Sequence, residues 1–175
     1  MAVIFRNVEV PADAPVATWP YEALVTVLEQ GLVGDWQPVI AEIRCDPWGK
    51  VARRVEGYAR GVKQHPSTEF PAEGFDAQRA LGTFFTLIID RARAAVEEGE
   101  RADIAERVRQ ALARSGLTAA KFAERLGTSA SRFSTYANGT VMPSAALLLR
   151  MERMAQGYAG VPKPTRREAE GPIST

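Results

Sequence analysis

"LTAAKFAERLGTSASRFSTYANGTVMPS", Leu117–Ser144, sets two short amphipathic runs on either side of Gly127-Thr128 and closes with Asn138-Gly139 and then Pro143-Ser144. Thr118 directly precedes AAKFAERL and Ser129 directly precedes ASRFSTYA. A hydroxyl at that place accepts from the free N–H groups of a helix's first turn, so both runs are predicted helices with capped starts. The spacing turns Phe122, Ala123 and Leu126 of the first helix, and Phe133 with Tyr136 or Ala137 of the second, toward a core. Gly127 supplies the left-handed position that ends the first helix. Outside, the second helix is left with Ala130, Ser131, Arg132, Ser134 and Thr135, all short except Arg132.

Small residues at Ala123 and Gly127 allow two helices joined by a tight turn to approach closely, which is the packing requirement of a helix-turn-helix. A second helix that stands out from its domain with short polar side chains can lie deep in a major groove. There hydroxyls meet base edges or phosphates, and an arginine grips guanine with two hydrogen bonds. Working outward, Asp103 to Arg114 reads as an amphipathic helix with Ile104, Val108 and Leu112 inward, ended by Ser115-Gly116. On the other side Ser144 caps a helix carrying Ala145, Leu148, Leu149, Met151 and Met154.

With these residues in place, Arg107 to Gln156 resembles the Xre or Cro-type helix-turn-helix family, the lambda-repressor-like fold. The matching segments are "RVRQALARSGLTAAKFAERLG", "TSASRFSTYANG" and "VMPSAALLLRMERMA", in the family's order and spacing, over less than a third of the chain. The resemblance implies that Ala130, Ser131, Arg132 and Thr135 read bases, and that Thr118, Lys121, Ser129, Asn138 and Thr140 lie near the sugar-phosphate backbone. Two positions depart from the family pattern. Ala119 stands where glutamine is frequent, and Ala130 where glutamine or arginine is common. Fewer strong donors at the groove imply a more shape-dependent readout and a dimer on a two-fold site.

The N-terminal part reads as a second helical module. VIFRNVEV followed by PADAP suggests a short strand or an extended arm, broken by prolines. A helix is expected from Thr18 or Trp19, with Pro20 in its first turn and Leu24, Val27 and Leu28 as its stripe, up to Gly31. Asp35 is placed to cap a second helix bearing Val39, Ile40 and Ile43, and Asp46-Pro47 to start a third bearing Val51, Val55, Tyr58 and Val62. KQHPSTEFPAEG reads as a surface loop. From Phe75 the pattern is helical again, with Leu81, Phe84, Phe85, Ile88 and Ala92 to Val96 on a wide apolar face. The consecutive Leu87, Ile88 and Ile89 suggest burial on more than one side, by the core or by a dimer partner. Trp19, Trp36 and Trp48 lie near helix starts and read as core anchors. "TWPYEAL" and "DPWG" resemble the upstream region of some regulators that carry their helix-turn-helix at the C-terminal end, with no activity to transfer.

EEGER, Glu97 to Arg101, is expected to be a polar junction, although a helix can cross Gly99 at a cost of about 1 kcal/mol relative to alanine. The organisation expected is an arm over residues 1–16, a helical module over 17–98 for dimerisation or partner binding, a DNA-binding domain over 99–158, and a flexible, proline-rich tail over 159–175. The fold class is all-α.

Composition agrees with a globular protein. Of 175 residues, 46% are apolar and 25% charged. The longest apolar run, Phe84 to Ile89, interrupted by Thr86, is far short of the roughly 20 residues a membrane-spanning helix needs, and the N-terminus lacks a secretory pattern, so a cytoplasmic protein without membrane contact is expected. Residues 1–98 hold 10 Lys/Arg against 14 Asp/Glu, a net −4; residues 99–175 hold 12 against 7, a net +5. The basic half suits a polyanion. An enzyme is not indicated. His65 sits before a proline with no identifiable partner, Cys45 at a helix end reads as a small buried residue, Glu97-Glu98 point apart on a helix, and no glycine spacing makes a phosphate cradle. No catalytic residue, cofactor or metal site is expected.

The function these features imply is sequence-specific transcriptional regulation, by a homodimer on double-stranded operator DNA. The alternative is an antitoxin-like protein whose N-terminal module binds a partner protein while the helix-turn-helix autoregulates its own gene.

Overall fold

A computed structural model describes residues 2–5, 8–11, 13–64 and 72–158 of the chain. Two compact units divide it, residues 1–97 and 98–175. The architecture is all-α, with one small exception at the start. Strands β1 (Ala2–Phe5) and β2 (Val8–Pro11) pair antiparallel with Val3 opposite Val10 and Ile4 opposite Glu9, so the expected arm folds back on itself as a hairpin. Val10 is buried. A single 3-10 turn follows at Val16–Thr18.

The first unit is built from α1 (Tyr21–Gln30), α2 (Gln37–Cys45), α3 (Lys50–Gln64) and the first part of α4 (Ala72–Ser115). Leu24, Val27 and Leu28 of α1, Val39, Ile40 and Ile43 of α2, and Val51, Val55, Tyr58 and Val62 of α3 form one core with Phe85, Ile89 and Ala92 of α4. These are the apolar stripes that helical spacing marks out. Side-chain donors then close the unit onto its leading segment. Lys50 Nζ donates to the Ala17 carbonyl at 3.2 Å and Arg54 Nη1 to that of Trp19 at 2.9 Å.

Both aspartate caps expected here fail, because turns claim the residues first. The carboxylate of Asp35 accepts from the Leu32 N–H at 2.8 Å while the Asp35 N–H donates to the Leu32 carbonyl. The turn so closed leaves Trp36 as N-cap of α2, already in helical conformation and without a side-chain cap, with Pro38 in the first turn. Asp46 ends α2, and its carbonyl accepts from the Gly49 N–H at 3.0 Å, so α3 starts only at Lys50. That turn carries Trp48 outward, to 44% exposure, which removes it from the expected core anchors. Trp19 and Trp36 do pack on the core, and their indole N–H groups donate to the carbonyls of Ala14 and Val27. Cys45, the last residue of α2, is exposed rather than buried, since it lies off the Val39, Ile40 and Ile43 face.

α4 meets this core along one face only. Phe85 and Ile89 are buried, whereas Leu87 is 55% exposed, so the expectation of burial on more than one side does not hold within the chain. Phe84, at 38% exposure, still edges into an aromatic cluster with Trp36 and Phe85, ring centroids 5.2–5.6 Å apart. Gly82 makes the close approach possible, as a Cβ there would sit 3.1 Å from the Ala59 carbonyl oxygen. Arg93 fixes the same face by donating to both carboxylate oxygens of Glu56 at 3.3 and 3.1 Å and to the Pro47 carbonyl.

The junction expected at EEGER is helical. α4 is unbroken from Ala72 to Ser115, and a Cβ at Gly99 would meet nothing within 4 Å. The local cost of one glycine is outweighed by packed helix on both sides, with Ala92 in the first core and Val108 in the second. Even so, among the described residues no helix is long and apolar enough to cross a membrane. His65, most of the expected loop and the tail over 159–175 lie outside the described residues.

Candidate nucleic-acid interface

The second unit carries the end of α4, then α5 (Ala119–Arg125), α6 (Ala130–Ala137) and α7 (Ala145–Tyr158). Its core joins Val108 and Ala111 of α4, Phe122, Ala123 and Leu126 of the α5 segment, Phe133 and Tyr136 of α6, and Leu148, Met151 and Ala155 of α7. Phe122 and Phe133 meet edge to face at 5.4 Å. That contact joins the two helices of the tight pair.

Each helix start is capped as the sequence predicts. The Thr118 hydroxyl accepts from the Lys121 N–H at 3.4 Å, Ser129 from Arg132 N–H at 3.1 Å, and Ser144 from Leu147 N–H at 3.2 Å. The turn between α5 and α6 is a Schellman motif: the Thr128 N–H donates to the Ala123 carbonyl and the Gly127 N–H to that of Glu124, both at 3.0 Å. Gly127 has φ +71° and a Cβ there would meet nothing within 4 Å. Its role is therefore conformational, and the small residue that helix packing needs is Ala123, which is fully buried. Gly139, at φ +73°, ends α6 with another left-handed glycine, its N–H donating to the Tyr136 carbonyl at 3.2 Å and the Val141 N–H to that of Thr135 at 3.2 Å.

With Phe133 and Tyr136 turned in, the outer side of α6 is Ala130, Ser131, Arg132 and Ser134, all exposed, and Thr135, half-buried. Thr118, Lys121, Ser129, Asn138 and Thr140 are exposed as well. Local bonds decide what several of these can offer a partner. Thr135 Oγ1 donates to the Arg132 carbonyl at 2.7 Å, so its hydroxyl proton is engaged within the helix. Ser129 spends its oxygen on the cap and keeps its proton to donate. Asn138 Nδ2 reaches Ser134 Oγ at 3.4 Å.

Arg132 is held from within. Its Nε donates to Tyr136 Oη at 2.8 Å, one helical turn on, and Tyr136 itself is only 5% exposed. Helical spacing offers Tyr136 or Ala137 to the core and leaves this second contact unread, although an Arg/Tyr pair four apart on a helix is the signal for it. Arg109 was missed too. It donates to the Ala137 carbonyl at 2.6 Å, so α4 satisfies a carbonyl at the exposed end of α6.

Among the described residues, Arg101 pairs with Glu98, Arg107 with Glu152 at 2.6 Å, and Arg109 with Glu106. The Arg109 guanidinium, with Gln110, holds the Glu106 carboxyl below its ordinary range. All these pairs lie on α4 and α7. These carboxylates lie on the supporting helices, while the exposed Lys121 and Arg132 stand on the pair formed by α5 and α6, where Glu124 is exposed as well. Among the described residues there is no group of three side chains able to hold a metal ion.

No curated protein and no solved structure matches the chain. Residues 103–169 match the family model described as a helix-turn-helix domain, a span that begins in the last part of α4 and takes in α5, α6 and α7, and the C-terminal part of this chain is a helix-turn-helix domain.

Proposed function

We propose that this protein is a sequence-specific transcriptional regulator, not an enzyme, that occupies an operator as a dimer, with α6 in the major groove. The observation that carries the reading is the outer side of α6. Ala130, Ser131 and Ser134 are short and exposed, so the helix backbone can approach base edges, and Arg132 supplies one long, fixed donor. Lys121 and the hydroxyls of Thr118, Ser129 and Thr140, with the Asn138 amide, serve as phosphate contacts on the flanks. One such domain reads few bases, which favours two copies on a two-fold site.

The test is selection of genomic fragments by the purified protein at physiological salt, where non-specific phosphate binding is weak. Enrichment of an inverted repeat is the expected result. Folded protein that enriches no sequence overturns the reading.

A second reading is favoured by the exposed Leu87 and Phe84 on α4. In it the N-terminal unit binds a partner protein in the manner of an antitoxin, and DNA binding autoregulates the gene. Copurification of a stoichiometric, separately encoded protein supports that reading; a homodimer by light scattering that binds its operator alone supports the first.

A further inference from the structure

We infer that Tyr136 is a positioning residue for base recognition: the hydroxyl of its core-held ring locks the Arg132 guanidinium so that only the terminal Nη1/Nη2 edge is presented to guanine. The inference rests on the reading of α6 as the helix that enters the major groove.

An arginine carries five N–H donors, and it can meet the O6 and N7 of guanine either side-on, through Nε and one Nη, or end-on, through both Nη. Here Nε is already committed, donating to Tyr136 Oη at 2.8 Å. Tyr136 cannot swing away with it, because the ring is 5% exposed and belongs to the same core as Phe122, Phe133 and Met151. The backbone at Arg132 is also fixed, its N–H donating to Ser129 Oγ at 3.1 Å and its carbonyl accepting from Thr135 Oγ1 at 2.7 Å. A free surface arginine loses its rotamer freedom when it binds; this one has surrendered much of it in the folded protein. The fork is therefore pre-organised, and recognition is sharper for it.

The test is a mutant cycle on the operator that fragment selection yields. Affinities are measured for the wild type, Tyr136→Phe, Arg132→Ala and the double variant. Two DNAs are used, the selected site and the same site changed at the base pair whose identity Arg132→Ala no longer distinguishes. Tyr136→Phe keeps the ring in the core and removes only the acceptor. The expected result is a loss of about three- to tenfold on the selected site. Little change is expected on the altered site, with an unchanged salt slope and no further effect of Tyr136→Phe in the Arg132→Ala background.

Equal losses on both DNAs, or in both arginine backgrounds, mean that the hydroxyl serves packing alone and overturn the inference. So does an unchanged discrimination by Tyr136→Phe. Failure of the underlying reading looks different: the wild type then enriches no site, or Arg132→Ala leaves preference intact at every base pair, and the inference falls with it.

Discussion

Arg132 and Lys121 are both exposed cations within the helix pair, yet the physics of the two positions predicts different phenotypes. Arg132 is held by Tyr136 and faces out from α6, so Arg132→Ala is expected to cost about 1–3 kcal/mol and to relax preference at one base pair, read by competition between operator variants. Lys121 lies in the first turn of α5 with no such tether; Lys121→Ala is expected to weaken all sequences alike and to lower the salt slope by about 1 for each domain bound, read from affinity against salt concentration. An unchanged slope would remove Lys121 from the phosphate contacts. Exposure of these side chains was legible in the sequence, because helical spacing alone decides which positions face out. The Arg132–Tyr136 bond was not. Helical spacing offers Tyr136 or Ala137 to the core on apolar character alone, and nothing in a periodicity argument tracks the oxygen at the far end of the Tyr136 ring.

At the scale of elements, two glycines with equally open surroundings should respond oppositely to the same change. Gly127 has φ +71°, which an alanine reaches at a cost of roughly 1–2 kcal/mol, so Gly127→Ala is expected to destabilise the C-terminal unit by that amount. Gly99 is exposed in the middle of α4, and Gly99→Ala is expected to stabilise by about 0.5–1 kcal/mol. Denaturant melts of the two variants give both signs in one experiment. Ser129→Ala, which deletes the cap of α6, is expected to cost about 1 kcal/mol in the same assay. The elements of the second unit were legible because their punctuation is local: hydroxyl caps at one end, left-handed glycine at the other. Those of the first were less so. Asp35 carries the same cap signal as Ser129 but spends its carboxylate on a turn, Asp46 is set apart from α3 by a turn closed through its main-chain carbonyl, and sequence gives no measure of which bond wins. The N-terminal hairpin depends on pairing between segments, which no local pattern reports. The continuity of α4 depends on cores on either side of Gly99, whose weight is likewise not local.

On the scale of the whole molecule, the first unit should show an acid sensitivity traceable to one pair. The hydrogen bond from Arg93, then its charge, holds the Glu56 carboxyl below its ordinary value of 4.5, outweighing the opposite pull of burial, while Arg93 is raised. A carboxyl lowered in the folded state stabilises above its unfolded value, and that contribution is lost as pH falls through the lowered one. With side-chain exposures of 23% for Arg93 and 35% for Glu56, solvent screening limits the contribution to about 1 kcal/mol or less. Glu56→Gln is therefore expected to lower stability at neutral pH slightly and to flatten its decline below pH 4.5, followed by thermal melts across that range. A variant that declines as steeply as the wild type would assign the acid limb to other carboxylates. The two cores also differ in when they can be completed. Every residue of the first, from Val16 to Ala92, precedes every residue of the second, from Val108 to Ala155. A ribosome adding 5–20 residues per second needs roughly 3–13 s to pass from Ala92 to Ala155. Val108, the first residue of the second core, follows Ala92 by roughly 1–3 s at that rate, and until then the first core has all its parts and nothing of the second to compete with, so the order of synthesis gives the first set of apolar side chains a start over the second.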